Sequence, residues 1–537
     1  MVSMSARASF VCIAVFALNL GAQGSPYVPL DDIAYRYVDA MMARGEFRNL
    51  SALERPYTVS DLLLAIDNAR GAATSARIFG YLDALETVVA KYSPRPRPRV
   101  VRQPVGLPDT SKYLIVHTAR GQGCGFTAGV CDSQLPPDSM RTREKTPHDS
   151  TAHRAESSQS NPFRARATVN FYGTAQTSSR RELMRATDAR SFSPAATIRI
   201  MIAGGPIAAS IRPLIDTGLN EDIEFAGRRD RTLAARTEDG YVTGQWKYAE
   251  LFFGRAARNW GPPALYGLQL GNYAYTYDHL YARIGTDKFH FATVITRLED
   301  YRDAAAVATQ RYFSIHRLAL RHGAWEIAAT ESYLYSGVGR TFEPSLANPF
   351  NVYSLSWRNE SQEGNLGLGL ETSFRSRNGT LAAHVFLDDL QIDRCEEICS
   401  EPSSYGLTLS AEGLPLSGDL RWFASYARVS YLTYRTPNPS ERYAAFQIGL
   451  GQGFSDFDEV RIGLDLAVVP RTPLRAYIAH RRQGEGDYRD PFPPSTEYAT
   501  TPGIFGGRVS GITRFGISGA SRWHDFELSG DVGVNRV

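Results

Sequence analysis

The chain has 537 residues, with 59 Lys and Arg against 56 Asp and Glu, a formal net charge of +3. That balance excludes the basic surface of a nucleic-acid binder. Its mean hydropathy of −0.28 excludes a bundle of membrane-crossing helices but not a barrel, in which every second strand residue faces lipid and the others face a polar lumen.

The first 24 residues read as a signal peptide. Arg7 supplies the positive region, Phe10 to Leu20 (FVCIAVFALNL) is too short to span a bilayer, and Ala22-Gln23-Gly24 offers small residues for cleavage near Ser25. No later run reaches the length of about 18 apolar residues that a membrane helix needs.

Residues 25–93 read as three short helices. Asp31 is the expected cap of the first, with Ile33, Tyr37, Ala40 and Met41 on one face and Gly45 at its end. Thr58 or Ser60 caps VSDLLLAIDNARG, and Ile78, Leu82, Leu85 and Val89 share a face of the third. Residues 94–163 begin with SPRPRPRVVRQP and continue rich in Ser, Pro, Thr and charge, the composition of a linker or insertion.

From Arg164 onward the repeat is two. In RARATVNFYGTAQT, Ala165, Ala167, Val169, Phe171, Gly173 and Ala175 share one face. Further strands are predicted at 241–256, 279–286, 288–299, 311–321, 324–335, 351–359, 366–376, 380–388, 405–412, 419–431, 442–451, 459–468, 473–482, 505–517 and 522–536. At about 20 residues per strand with its connections, residues 164–537 hold about 18 strands of an antiparallel transmembrane β-barrel, preceded by the small N-terminal α-helical bundle. Glu331 falls in phase with Trp325 and Ile327; a carboxylate facing mid-bilayer lipid costs about 2 kcal/mol or more, so it is expected to point into the lumen. Tyr273, Tyr275, Tyr277, Tyr431 and Tyr434 cluster near strand ends, as rings at a membrane boundary do.

Once Cys12 leaves with the signal, Cys124/Cys131 and Cys395/Cys399 remain, an even count in an exported chain that fits two local disulfides. The spacing of a metal site is absent, and no cofactor is expected. Asp388 and Asp389 are adjacent, so on a strand they point to opposite faces and cannot address one glycosidic bond. No Ser/His/acid spacing stands out either, and the chain is read as non-enzymatic.

The most distinctive stretch is GRAARNWGPP, with Gly254, Arg255, Arg258, Trp260, Gly261, Pro262 and Pro263. Guanidinium forks and an indole suit sugar hydroxyls and sugar faces; equally, they can brace a turn. G-R-x-x-R-x-W-G-P resembles the hallmark of the capsule assembly Wzi family. YVPLDDIAYRYVDAMMARGEF, RYFSIHRLALR, WEIAATESYLYSG, Asn348-Pro349-Phe350, HVFLDDLQID and YIAHRRQGEGDYRD follow in similar order. The resemblance implies a barrel of about eighteen strands in the outer membrane of a Gram-negative-type envelope, with its helical bundle on the periplasmic side. It also implies polysaccharide attachment, with Arg255, Arg258, Trp260, Asp388 and Asp389 as candidate contacts and Gly254, Gly261, Pro262, Asn348, Pro349 and Phe350 as framework. The partners implied are outer-membrane lipid, the insertion machinery and a capsular or extracellular polysaccharide, bound by a monomer. A diffusion porin is the alternative, since a barrel of this size can hold a water channel.

Overall fold

The computed structural model describes residues 24–72, 76–93, 163–175, 192–222, 224–262, 265–355, 364–389, 403–466, 471–494, 504–523 and 525–537. All of them belong to one compact unit, Met1–Pro94 with Pro162–Val537. Residues 1–23 of the signal, residues 94–162 of the linker and all the cysteines lie outside the described residues.

Three helices open the described chain: α1 (Ala34–Met42), α2 (Val59–Ala72) and α3 (Ala76–Ala90). Ile33 stands at the N-cap of α1, and Asp32 before it accepts the Ala34 N–H through Oδ1 at 2.8 Å. The expected cap, Asp31, instead pairs with Arg212 of the sheet at 2.7 Å. Gly45, at φ +76°, turns the chain out of α1. Thr58 Oγ1 accepts the Asp61 N–H at 3.1 Å while Asp61 Oδ2 accepts the Thr58 hydroxyl at 2.7 Å, a reciprocal cap for α2. Val38, Met41, Leu62, Ile66, Leu82, Leu85 and Val89 bury their shared faces in one core. None of the described helices is long and apolar enough to cross a membrane.

Seventeen long strands follow: β1 (Arg164–Ala175), β2 (Phe192–Gly204), β3 (Ile207–Asp216), β4 (Ala234–Gln245), β5 (Ala249–Arg255), β6 (Asp278–Gly285), β7 (Phe289–Arg297), β8 (Ala308–His322), β9 (Trp325–Gly337), β10 (Asn365–Ser376), β11 (Gly379–Asp389), β12 (Ser404–Ser417), β13 (Leu420–Val429), β14 (Phe457–Leu466), β15 (Leu474–Gln483), β16 (Ser510–Trp523) and β17 (Phe526–Arg536). Each pairs antiparallel with the next. The short segment Tyr301–Arg302 pairs with the start of β8 and brings the sheet to eighteen strands. The edge strands β1 and β17 are exposed over most of their length.

The sheet curls into a barrel. Inward residues from β4 to β14, among them Phe252, Tyr281, Phe313, Leu334, Phe386 and Phe457, meet in one core together with loop residues. The opposite phase is apolar and exposed: Ile200, Ile211, Phe253, Leu320, Leu370, Leu409, Ile462 and Ile517 form the belt that a transmembrane barrel presents to lipid.

Other elements also differ from expectation. The predicted strand 241–256 is the end of β4, a turn and β5, and the strands over 192–216 escaped notice. In 351–359 the described residues, 351–355, carry a helical turn and no strand. In 442–451 the alternation of Ala444, Phe446, Ile448 and Leu450 is a tight hairpin of two-residue strands, with Phe446 and Gln447 at positive φ in its turn. The tyrosines Tyr273 and Tyr434 are buried: Tyr273 donates to Glu224 at 2.9 Å and Tyr434 to the Leu268 carbonyl at 2.5 Å.

Glu331 also departs from expectation. It lies in the outward phase of β9 with Ile327, yet it is only 7% exposed where Ile327 is 44% exposed. The chain between β9 and β10 folds back over the outer wall, and Tyr353 and Ser354 donate backbone N–H groups to its carboxylate at 2.8 and 2.7 Å. The cost that argued for an inward side chain is met by a polar cover.

Candidate functional site

The interior of the barrel beside β4 to β14 is packed by segments of the chain itself. The turn between α1 and α2 enters from the helical end, where Arg375 donates to the Phe47 carbonyl at 2.7 Å and Thr380 to that of Met42 at 3.0 Å. From the opposite end, the segment after β5 dips inward. Its Asn259 and Trp260 pair antiparallel with Arg55 and Glu54. The Gly261 N–H bonds the Leu53 carbonyl at 2.8 Å. A third inward segment, between β13 and β14, seats against the second: Tyr443 donates to the Gln269 carbonyl at 2.9 Å, and the Gly271 N–H bonds the Leu450 carbonyl at 2.8 Å.

Residues 256–262 of the GRAARNWGPP motif belong to this plug. Gly254, at φ +132°, is the next-to-last residue of β5, where a Cβ would lie 2.2 Å from the Gly240 carbonyl oxygen. Gly261, at φ +143°, lets the backbone pass within 3.0 Å of His384 Nδ1 and the Gly267 Cα, measured from where a Cβ would stand. The Arg258 guanidinium lies 3.7 Å from the Tyr281 ring centre and 4.6 Å from that of Phe252, and its Nε donates to His279 Nε2 at 2.9 Å. Arg258 is 5% exposed and Trp260 is 1% exposed. These two candidate contacts therefore brace the plug and turn no surface toward solvent. Pro262 is buried beside them. Arg255 is different: half-buried at the open end, it pairs with the exposed Asp278 at 2.7 Å.

A buried charge network locks plug to wall. Arg317 of β8, fully buried, bonds Glu371 of β10 at 3.0 Å and Glu54 of the plug at 3.2 Å. Glu54 also meets His290 at 2.8 Å and accepts the Tyr281 hydroxyl at 3.0 Å. Burial alone would raise the Glu54 carboxyl, but His290 and the Arg317 guanidinium outweigh it and hold it well below the ordinary carboxylate range. Sequence reasoning missed this network. Arg317 did carry one signal: it falls in the inward phase of β8 with Phe313, Ile315 and Ala319.

Asp388 faces inward at the end of β11, where its Oδ2 accepts the Tyr434 N–H at 2.6 Å and holds an inward segment. Asp389 follows in the same strand across a register shift, and its side chain lies outside the described residues. Asn348, Pro349 and Phe350 lie on the outer wall, where Asn348 Oδ1 accepts the Phe350 N–H at 3.1 Å. Cys124, Cys131, Cys395 and Cys399 fall outside the described residues. Among the described residues, no cluster of His, Cys, Asp and Glu is arranged to hold a metal ion.

Fold and interior together define a plugged β-barrel of the outer-membrane type. Among solved structures it is similar to Wzi of Escherichia coli, described as an outer-membrane protein involved in group 1 capsule assembly and a carbohydrate-binding β-barrel: TM-score 0.56, 10% identity, 96% of this chain and 95% of that one covered. It also matches OmpF of Salmonella typhi (TM-score 0.32, 13% identity, 66% and 97% covered) and an anion-selective porin of Comamonas acidovorans (0.35, 10%, 66% and 98%). At these identities the likeness concerns the fold. No family model and no curated protein matches the chain.

Proposed function

We propose that this chain sits in the outer membrane as a monomer delivered by its signal peptide and the insertion machinery. Its helices face the periplasm and its other mouth faces outward. There it organises or anchors capsular or extracellular polysaccharide without catalysing a reaction. The observation that carries this reading is the plug. Three segments of the chain occupy the lumen and bond one another and the wall, so a polymer meets the barrel at its mouth and does not pass through it. The fold shared with a carbohydrate-binding barrel supports the same reading.

Among the described candidate contacts, Arg255 is the one with accessible surface; Tyr266 and Phe446, at 37% and 41% exposed, are the accessible rings of the inward segments. The test is a capsule stain of a deletion strain. Polymer shed into the medium, and returned to the cell by the wild-type gene but not by one carrying Arg255→Ala with Tyr266→Ala, supports the reading. Unchanged cell-bound polymer in the deletion strain contradicts it.

A further inference from the structure

The outer wall carries a second, separate core. Tyr312 of β8, Tyr333 and Tyr335 of β9, Leu346 and Tyr353 pack together apart from the lumen core that holds Phe313 and Leu334. Side chains alternate across a strand, so neighbours in sequence belong to opposite sides of the wall. Tyr312 and Tyr335 stack at 5.1 Å, and Tyr333 meets Tyr353 at 5.7 Å. Residues 338–355 thus form a strap that leaves the open end at Gly337 and runs back down the outside of the barrel.

The descent is deep. Glu331, bonded by the strap, is six residues from the end of β9, about 20 Å along the strand. The strap caps a polar pair on the wall: Glu331 meets His316 at 3.0 Å, and the His316 ring lies 4.6 Å from that of Tyr353. Exposed on the strap are the apolar Val338, Phe342, Phe350, Val352 and Leu355, with Phe350 69% exposed, and between them the polar Thr341, Ser345 and Asn348. Phe350 stacks on Phe291 of β7 at 5.4 Å, so this apolar set continues the belt formed by Phe289, Leu318, Leu320, Leu368 and Leu370.

We propose that the strap lies within the membrane, with Phe350, Val352 and Leu355 against acyl chains, while its inner side shields the Glu331–His316 pair from them. A carboxylate crosses hydrocarbon at lower cost when partnered, and the strap's Tyr353 and Ser354 N–H groups are such partners for Glu331. Contact with acyl chains rests on continuity with the belt, and the outer-membrane setting rests on the function proposed above.

The test uses the full chain with its native cysteines replaced by serine, reconstituted in dioleoylphosphatidylcholine vesicles. Phe350→Cys and Leu355→Cys each carry an environment-sensitive fluorophore, with Leu370→Cys as the belt reference and Phe446→Cys as the mouth reference. The expected result is blue-shifted emission and strong quenching by nitroxide-labelled phospholipid, matching Leu370→Cys, with little quenching by iodide. Iodide quenching at the level of Phe446→Cys overturns the proposal, as does cross-linking of two copies through Phe350→Cys, which would give the face to a second chain. A further variant, Glu331→Ala, is expected to move both strap labels toward iodide exposure while the Leu370→Cys label stays in lipid.

Discussion

Arg317 and Glu54 meet at 3.2 Å inside the barrel, one from the wall and the other from the N-terminal segment, although 263 positions separate them. This contact ties the helical region to the sheet. Arg317 also serves Glu371, and Glu54 also serves His290, so neither charge is left uncompensated while both are present.

Breaking that pair by removing one partner leaves a buried charge behind. Arg317→Ala is expected to destabilise the folded barrel by about 3–5 kcal/mol. Arg317→Met combined with Glu54→Gln and Glu371→Gln is expected to cost less, since it removes the charge of the guanidinium and of both carboxylates it serves. Thermal unfolding in detergent, followed by circular dichroism and by the shift in gel mobility on boiling, gives the order.

The depressed Glu54 carboxyl makes the plug acid-sensitive. A lowered folded-state value stabilises the fold above the unfolded value, about 4.3 for Glu, and that contribution is lost as pH falls through the folded value. The unfolding midpoint should hold from neutral pH to about 5 and drop below about 4. Glu54→Gln should start lower at neutral pH, and its gap to wild type should close on acidification; a constant gap would contradict the account.

Trp260 fills the middle of the plug, and its truncation opens a cavity. Trp260→Ala is expected to cost about 3–5 kcal/mol, with the loss falling on the plug while the sheet persists. Limited proteolysis should cut the 256–277 segment in the variant and spare it in wild type, with the β-sheet circular dichroism retained.

Gly261 holds φ +143°, a conformation a side chain adopts at a cost of about 1–3 kcal/mol. Gly261→Ala also places a methyl group against His384 and Gly267. The variant should behave as a weaker Trp260→Ala, with the same cut site and a smaller fall in unfolding midpoint.

The wall was legible in the sequence because its code is local. A period of two with one apolar phase places β8, β10, β11 and β15 to within a few residues. The plug was not legible, because its apolar residues are buried by distant partners and carry no period. Ala444 to Leu450 alternate like a strand, but positive φ at Phe446 and Gln447 turns them into a hairpin tip. Arg258 and Trp260 drew notice by type, and type alone could not tell a sugar contact from a brace. Glu331 shows the same limit: phase assigned its face, energy argued against that face, and the strap that reconciles them lies more than ten residues downstream.

The account stands or falls on whether the chain's own segments close the lumen. Single-channel recording of the purified full-length chain in planar bilayers reads this directly. Wild type is expected to insert and stay closed, with long-lived openings appearing only once Trp260→Ala loosens the plug. Steady, large openings of the wild-type chain would contradict the account and make the barrel a water-filled pore.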